Sequence, residues 1–258
     1  MNNKKNIVVM PAFCDGELPY YAKKCIAFWK QWTTKHGIDF YVITERLFSF
    51  EQVAPHIQKL YVYDILKKHQ IEFDQCLLVD WDTFPMPDAK NIFEYTSGNF
   101  SICLDYGWAT SIIKSIDFMS QFFDHKNVTW DNYFNSGFFV FNKDHEHIFS
   151  ECIDVCLKHK DTQKQYPELF HGDQTVLNYV VHKETSTTIL PRSFMVHDYF
   201  LDIFLRNYTD HNGIYVDSQS YMTSINFVHM TRDNNFRNGL VDLMADRFYK
   251  QLNNIENV

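Results

Sequence analysis

Glycine is scarce in this chain, with 8 in 258 residues, and no Gly-x-Gly-x-x-Gly, Walker loop or Gly-x-Ser-x-Gly elbow occurs. Dinucleotide, P-loop and α/β-hydrolase chemistries therefore lack their backbone signatures. Six cysteines stand singly, with no Cys-x-x-Cys pair, which argues against a zinc ribbon or a secreted disulfide framework and for buried reduced thiols. No apolar run approaches the ~20 residues of a membrane span; Cys76-Leu77-Leu78-Val79 and Phe138-Phe139-Val140-Phe141 are typical. Positive charge is also short: 24 Lys and Arg against 32 Asp and Glu leave −8, a field that repels nucleic acid and anionic membrane. Met1-Asn2-Asn3-Lys4-Lys5 lacks a signal-peptide core, so a soluble, cytoplasmic protein is expected.

What is abundant is apolar and aromatic. Hydrophobic residues make up 45% and aromatics 17% of the chain, including 24 Phe and 15 Tyr. That is enough for thick core layers and for surfaces that stack on a flat ligand. The length fits one or two domains. With no internal repeat or low-complexity linker, one domain over residues 1–258 is expected.

Periodicity predicts a strand over Asn6–Phe13 and a helix opened by Pro19, with Gly37 just past its end. A strand Ile38–Thr44, an amphipathic helix from Pro55 to about Gln70 and a strand Phe73–Val79 follow. The last strand's unbroken apolar run suits burial on both faces. The alternation is that of a doubly wound α/β domain with a mostly parallel, Rossmann-like central sheet flanked by helices. Further on, Asp88 is expected to cap a helix Ala89–Tyr95. Phe100–Leu104, Tyr133–Asn142, Thr187–Leu190 and Ser224–Met230 read as strands. Ile112–Phe123, Asp144 to about Lys160, Gln174–His182 capped by Asp173, and Val241–Leu252 read as helices.

The sharpest chemical feature is Asp80-Trp81-Asp82, directly after Leu77-Leu78-Val79 and before Thr83-Phe84-Pro85. Strand alternation puts Asp80 and Asp82 on one side with Trp81 opposite. They lie at a strand's C-terminal end, where open α/β sheets place their ligands. Two hard oxygen donors there suit Mg²⁺ or Mn²⁺ shared with phosphate oxygens. A solvated turn with Asp82 starting an Asx turn is the plainer reading, but two adjacent acids repel without a cation between them. His145-Glu146-His147 splays its two imidazoles to different sides of a helix and reads as a solvated first turn.

The segment Phe73–Pro87 stands in order with Tyr133–Asn142, Gly172–Asn178 and Asn226-Phe227-Val228-His229. Together they resemble the GT-A fold glycosyltransferases, most closely the family-8 and glycogenin-like enzymes that transfer a sugar from a nucleotide diphosphate sugar with Mn²⁺. The resemblance spans most of the chain. It implies that Asp82 and His229 bind the metal directly and that Asp80 bridges metal and donor. His229 on its own reads as a core histidine, and only its place in the order of motifs makes it a ligand. Two carboxylates with an imidazole favour Mn²⁺ over Mg²⁺. Asn135 becomes a donor-sugar or acceptor contact, or else part of a strand-entry turn. Asp173 and Gln174 become contacts near the reacting carbon of the sugar, with Asp173 also a helix cap.

Pro11, Ala12 and Phe13 match the place where such enzymes grip uracil, with Thr44 beside them and Trp81 in the same donor region. Lys59 falls near a diphosphate-binding position, although a helix lysine is ordinarily solvated. After its histidine the family continues with Gly and then Lys-Pro-Trp, whereas this chain reads Met230-Thr231-Arg232, and Arg232 is the candidate replacement for the phosphate-clamping lysine. The implied reaction is sugar transfer from a UDP-sugar to a hydroxyl acceptor such as a glycan. Residues to about 105 would serve the nucleotide and residues from about 106 the acceptor. An inverting enzyme needs a carboxylate base, for which Asp131 and Asp173 are candidates. Trp108, Trp130 and Tyr199 are candidates for stacking on sugar rings. A binding module that kept the fold without turnover, and a sugar nucleotidyltransferase, are the competing classes.

Overall fold

The computed structural model describes residues 5–107, 109–166, 169, 172–198 and 225–248. Its main sheet contains β1 (Asn6–Pro11), β2 (Asp39–Ile43), β3 (Gln75–Val79), β5 (Phe100–Leu104), β6 (Phe134–Asn142) and β7 (Thr187–Ile189), in the spatial order β2-β1-β3-β6-β5-β7. β1 pairs parallel with β2 and β3, and β5 with β7, while β6 runs antiparallel to both β3 and β5. Side-chain alternation divides the core between the two faces of this sheet. Val8, Met10, Leu77, Val79, Phe138 and Val140 point to one layer; Ile7, Val9, Cys76, Leu78, Phe139 and Phe141 point to the other.

A second sheet holds three short strands. β4 (Thr83–Pro85) lies antiparallel to β9 (Phe227–His229), which runs parallel to β8 (Met195–His197). The registers Thr83↔His229 and His197↔His229 bring distant parts of the sequence beside the acid pair. The helix Tyr20–His36 holds the two sheets together. Its apolar face buries Tyr21, Cys25, Phe28, Trp29 and Trp32, and Gly37 ends it in the left-handed conformation with φ 65°. Trp29 donates from Nε1 to the Thr83 carbonyl at 3.0 Å and stacks on Phe227 with ring centroids 5.2 Å apart.

Several expected elements are corrected. The helix expected from Pro55 to Gln70 is broken into Pro55–Gln58, a 3₁₀ turn Lys59–Tyr61 and Val62–Lys68, and the turn coincides with a buried Lys59. No helix Ala89–Tyr95 forms. The Ala89 carbonyl is occupied by Trp32 Nε1 at 3.1 Å and His36 Nε2 at 3.2 Å, leaving a 3₁₀ turn Ile92–Glu94 capped by Asn91 rather than Asp88. The long helix after β6 is divided into a 3₁₀ turn Lys143–His145 and helices Glu146–Lys158 and Lys160–Gln165. His145 is buried there and accepts from the Asn142 backbone N–H at 3.0 Å, so it is a capping residue and not part of a solvated turn. The closing helix runs Asn234–Phe248. It starts earlier than expected because Asp233 Oδ1 accepts from the Asn235 and Phe236 backbone N–H groups at 2.9 and 3.1 Å. Five cysteines are buried, Cys14 is half-buried and all six are free. Among the described residues no helix is long and apolar enough to cross a membrane.

Because Trp29 joins the two sheets, Trp29→Ala is expected to lower stability by about 3–5 kcal/mol, with Trp29→Phe losing less. Urea denaturation of both variants against wild type measures the difference.

Candidate active site

β3 ends at Val79, and the chain then turns instead of continuing extended. The Asp80 carbonyl accepts from Thr83 N at 3.0 Å and Thr83 Oγ1 at 2.7 Å, while Asp80 N donates to the Gly137 carbonyl at 2.9 Å. This tight turn overrides simple strand alternation. Trp81, expected to face away, lines the same solvent-open cleft as Asp80 and Asp82. Pro11, Phe13, Pro55, His56 and Lys59 complete its wall. His229 enters through β9, and single ligand atoms of Asp80, Asp82 and His229 lie within 4.8 Å of one another.

Gly137 lies directly behind them. A Cβ there would lie 2.7 Å from Asp80 Oδ2 and 2.8 Å from His229 Cε1, so any larger residue would force those side chains to shift.

Lys59 is 5% exposed. Its ammonium lies 3.2 Å from Asp80 Oδ1 and 3.2 Å from Asp173 Oδ2, and donates to the Ser136 carbonyl at 3.0 Å. Burial alone disfavours that charge, but Asp173 and Asp80 outweigh it and hold the pKa above the ordinary lysine value. Asp173 begins the helix Gln174–Glu184 but forms no side-chain cap; its carboxylate turns to Lys59 instead, which corrects the expected capping role.

Asp82 Oδ1 lies 3.2 Å from His229 Nε2, and Oδ2 lies 3.0 Å from an Arg237 guanidinium nitrogen. Burial pushes the Asp82 carboxyl up, yet His229 and Arg237 outweigh it and bring it below its ordinary value. Asp80 goes the other way: burial raises it, Lys59 pulls it down, and Asp82 adds to the rise.

Beyond Gly137 lies a polar layer. Asn135 Oδ1 accepts from Gly137 N at 2.8 Å, and Gln174 Oε1 accepts from Ser136 N at 3.1 Å. Gln174 Nε2 donates to Asp105 Oδ2 at 3.0 Å, with Asn135 Nδ2 at 3.4 Å from the same oxygen. Asp105 Oδ1 lies 3.2 Å from His197 Nε2, and the His197 and His229 rings are 5.5 Å apart, 30° from parallel. Burial raises the Asp105 carboxyl, but His197, the Gly107 backbone N–H and Gln174 prevail and hold it far below the usual carboxylate range.

Sequence reasoning missed Asp105, His197 and Arg237. Asp105 had a signal: like Asp80, it directly follows an apolar strand. Arg237 had none, since its reach to Asp82 depends on where the closing helix starts.

Ala12 is buried, with its N–H bonded to the Ile43 carbonyl at 2.8 Å, so that group is not free to grip a base. Thr44 is exposed at the end of β2. Asp131 is exposed, held low by its Thr129 hydrogen bond, and has no contact with the cluster among the described residues. The Arg232 guanidinium lies 4.4 Å from the Phe236 ring centroid, and its backbone N–H donates to Asp198 Oδ2 at 3.3 Å. Trp130 is exposed on a separate groove with Ile113, Asp117 and Lys126. Trp108 and Tyr199 lie outside the described residues.

The donor set fits a divalent cation. Four carboxylates, Asp80, Asp82, Asp105 and Asp173, face two fixed cations, Lys59 and Arg237. His229 presents Nε2 to Asp82 Oδ1, and its Nδ1 is buried with no hydrogen-bond partner among the described residues. Gly137→Ala is expected to cost about 1–3 kcal/mol by overpacking. It should also spread the Asp80, Asp82 and His229 side chains, and comparing thermal melts with and without a divalent cation for variant and wild type measures the effect.

No protein-family model matches the sequence, and no curated protein matches it. Among solved structures, a glycosyltransferase involved in the glycosylation of the major capsid of PBCV-1 is 15% identical with a TM-score of 0.58, over 92% of this chain and 99% of that one. The apo WbbM bifunctional glycosyltransferase is 14% identical with a TM-score of 0.52, over 90% of this chain and 46% of that one. What is shared at this identity is the fold, and this chain has the GT-A glycosyltransferase fold.

Proposed function

We propose that this protein is a metal-dependent glycosyltransferase that moves a sugar from a UDP-sugar to a hydroxyl acceptor, a glycan. The observation that carries the reading is the Asp80, Asp82 and His229 triad on the cleft lined by Pro11, Phe13 and Trp81. Pro11 and Phe13 offer apolar walls for a flat base. His56 lines the same cleft as an exposed hydrogen-bonding group.

Asp80, Asp82 and His229 would hold a divalent ion, which would supply charge to stabilise a leaving diphosphate. Lys59 serves the acids rather than acting as a free diphosphate clamp: its ammonium is already shared between Asp80 and Asp173. Asp105, Gln174 and Asn135 fix one another's polar atoms beside Gly137, a preorganised surface for sugar hydroxyls. In this reading, residues to about 105 bind the nucleotide and the remainder the acceptor. The PBCV-1 neighbour's part in glycosylating a capsid protein supports a glycan or glycoprotein acceptor.

Neither candidate base is well disposed for an inverting reaction. Asp173 is 3% exposed and ion-paired, and Asp131 is exposed outside the cluster. The reading therefore expects the donor anomeric configuration to be retained, which NMR of the product reports; an inverted product contradicts the family-8 likeness.

Incubation with UDP- and GDP-sugars, with Mn²⁺, Mg²⁺ or EDTA, tests the function. Release of nucleotide diphosphate from one UDP-sugar with Mn²⁺ is expected. Asp82→Ala should reduce it to the level seen in EDTA. Tight donor binding without release, for any acceptor, favours the binding-module reading.

A further inference from the structure

The two oxygens of Asp82 are engaged by different elements. Oδ1 faces His229 Nε2 at 3.2 Å, and Oδ2 is held by Arg237 at 3.0 Å. The other terminal nitrogen of the same guanidinium donates to the Tyr21 phenol oxygen at 2.9 Å. The planar fork thus spans the acid and a tyrosine that is 3% exposed. Tyr21 belongs to the helix Tyr20–His36, as does Trp29, which grips Thr83, the residue after Asp82. Tyr20, beside Tyr21, donates to Asp242 Oδ1 at 2.6 Å and fastens the closing helix that carries Arg237. Arg237 is not among the residues lining the donor cleft, so it meets the site through Asp82.

We infer that Arg237 is a positioning residue for metal binding. By occupying Oδ2, it fixes the rotation of the Asp82 carboxylate so that Oδ1 is presented to an ion shared with Asp80 and His229. The inference rests on the metal reading above. Two effects oppose each other, because a guanidinium repels a nearby cation while also ordering its ligand. Ordering prevails: the guanidinium charge is already engaged by Asp82, and groups that hold ligating side chains typically contribute about 10–100-fold to metal affinity. Tyr21→Phe separates the two effects, since it loosens the guanidinium without changing any charge.

The test titrates Mn²⁺ alone into the whole protein and reads free Mn²⁺ from its electron paramagnetic resonance signal. Arg237→Met is expected to weaken binding about tenfold or more. Arg237→Lys, which keeps the charge but not the fork, should fall between it and wild type. Tyr21→Phe should weaken binding by roughly threefold, the size of one neutral hydrogen bond. Urea midpoints of the metal-free proteins establish that each variant folds, and if Arg237→Met does not, Arg237→Lys and Tyr21→Phe decide. Unchanged affinity in the folded variants, or tighter binding in Arg237→Met, overturns the inference while leaving the metal site standing. Absence of Mn²⁺ binding by wild type overturns the metal reading and this inference with it.

Discussion

Carboxylates crowded at the ends of neighbouring strands impose the governing constraint on this molecule. Asp80, Asp82 and Asp173 share one small volume, with Asp105 in the adjoining layer. Buried like charges repel strongly in a medium poorer than water at screening them. The surrounding sequence answers with compensating groups: Lys59 between Asp80 and Asp173, Arg237 and His229 on Asp82, and His197 on Asp105. Burial, with Asp82 adding to it, nevertheless holds the Asp80 carboxyl above its ordinary value despite Lys59. A divalent cation is the natural complement.

Local features that otherwise look irregular follow from this. The 3₁₀ turn Lys59–Tyr61 interrupts a helix at the lysine that reaches the acids. Gly137 leaves the space that the Asp80 and His229 side chains fill. The three-residue strands β4, β8 and β9 contribute little area, yet their register sets Thr83, His197 and His229 side by side. Trp29, stacked on Phe227 and bonded to Thr83, ties that small sheet to the helix Tyr20–His36. The packing that stabilises the fold is thereby the packing that brings Asp80, Asp82 and His229 together.

The fold was legible where periodicity persists. Val8, Met10, Leu77 and Val79 alternate with Ile7, Val9, Cys76 and Leu78 between two cores, and that pattern announces a buried, mostly parallel sheet. The acid pair and His229 were legible as an ordered set of short motifs. The polar partners were not. Asp173 looks like a helix cap until Lys59 is found within 3.2 Å, a contact between elements that no local rule encodes. Arg237 reaches Asp82 because Asp233 starts the closing helix early, a choice made by capping chemistry that the apolar pattern of Val241–Leu252 concealed. The strands β4 and β8 are too short to show alternation at all.

The most direct measurement is anomalous diffraction from a crystal of the protein grown or soaked with Mn²⁺ and UDP. The account predicts one Mn²⁺ bound by Asp80, Asp82 and His229, with UDP in the cleft between Phe13 and Trp81 and Lys59 still paired with Asp173. A metal held elsewhere, or UDP bound away from this cleft, would contradict it.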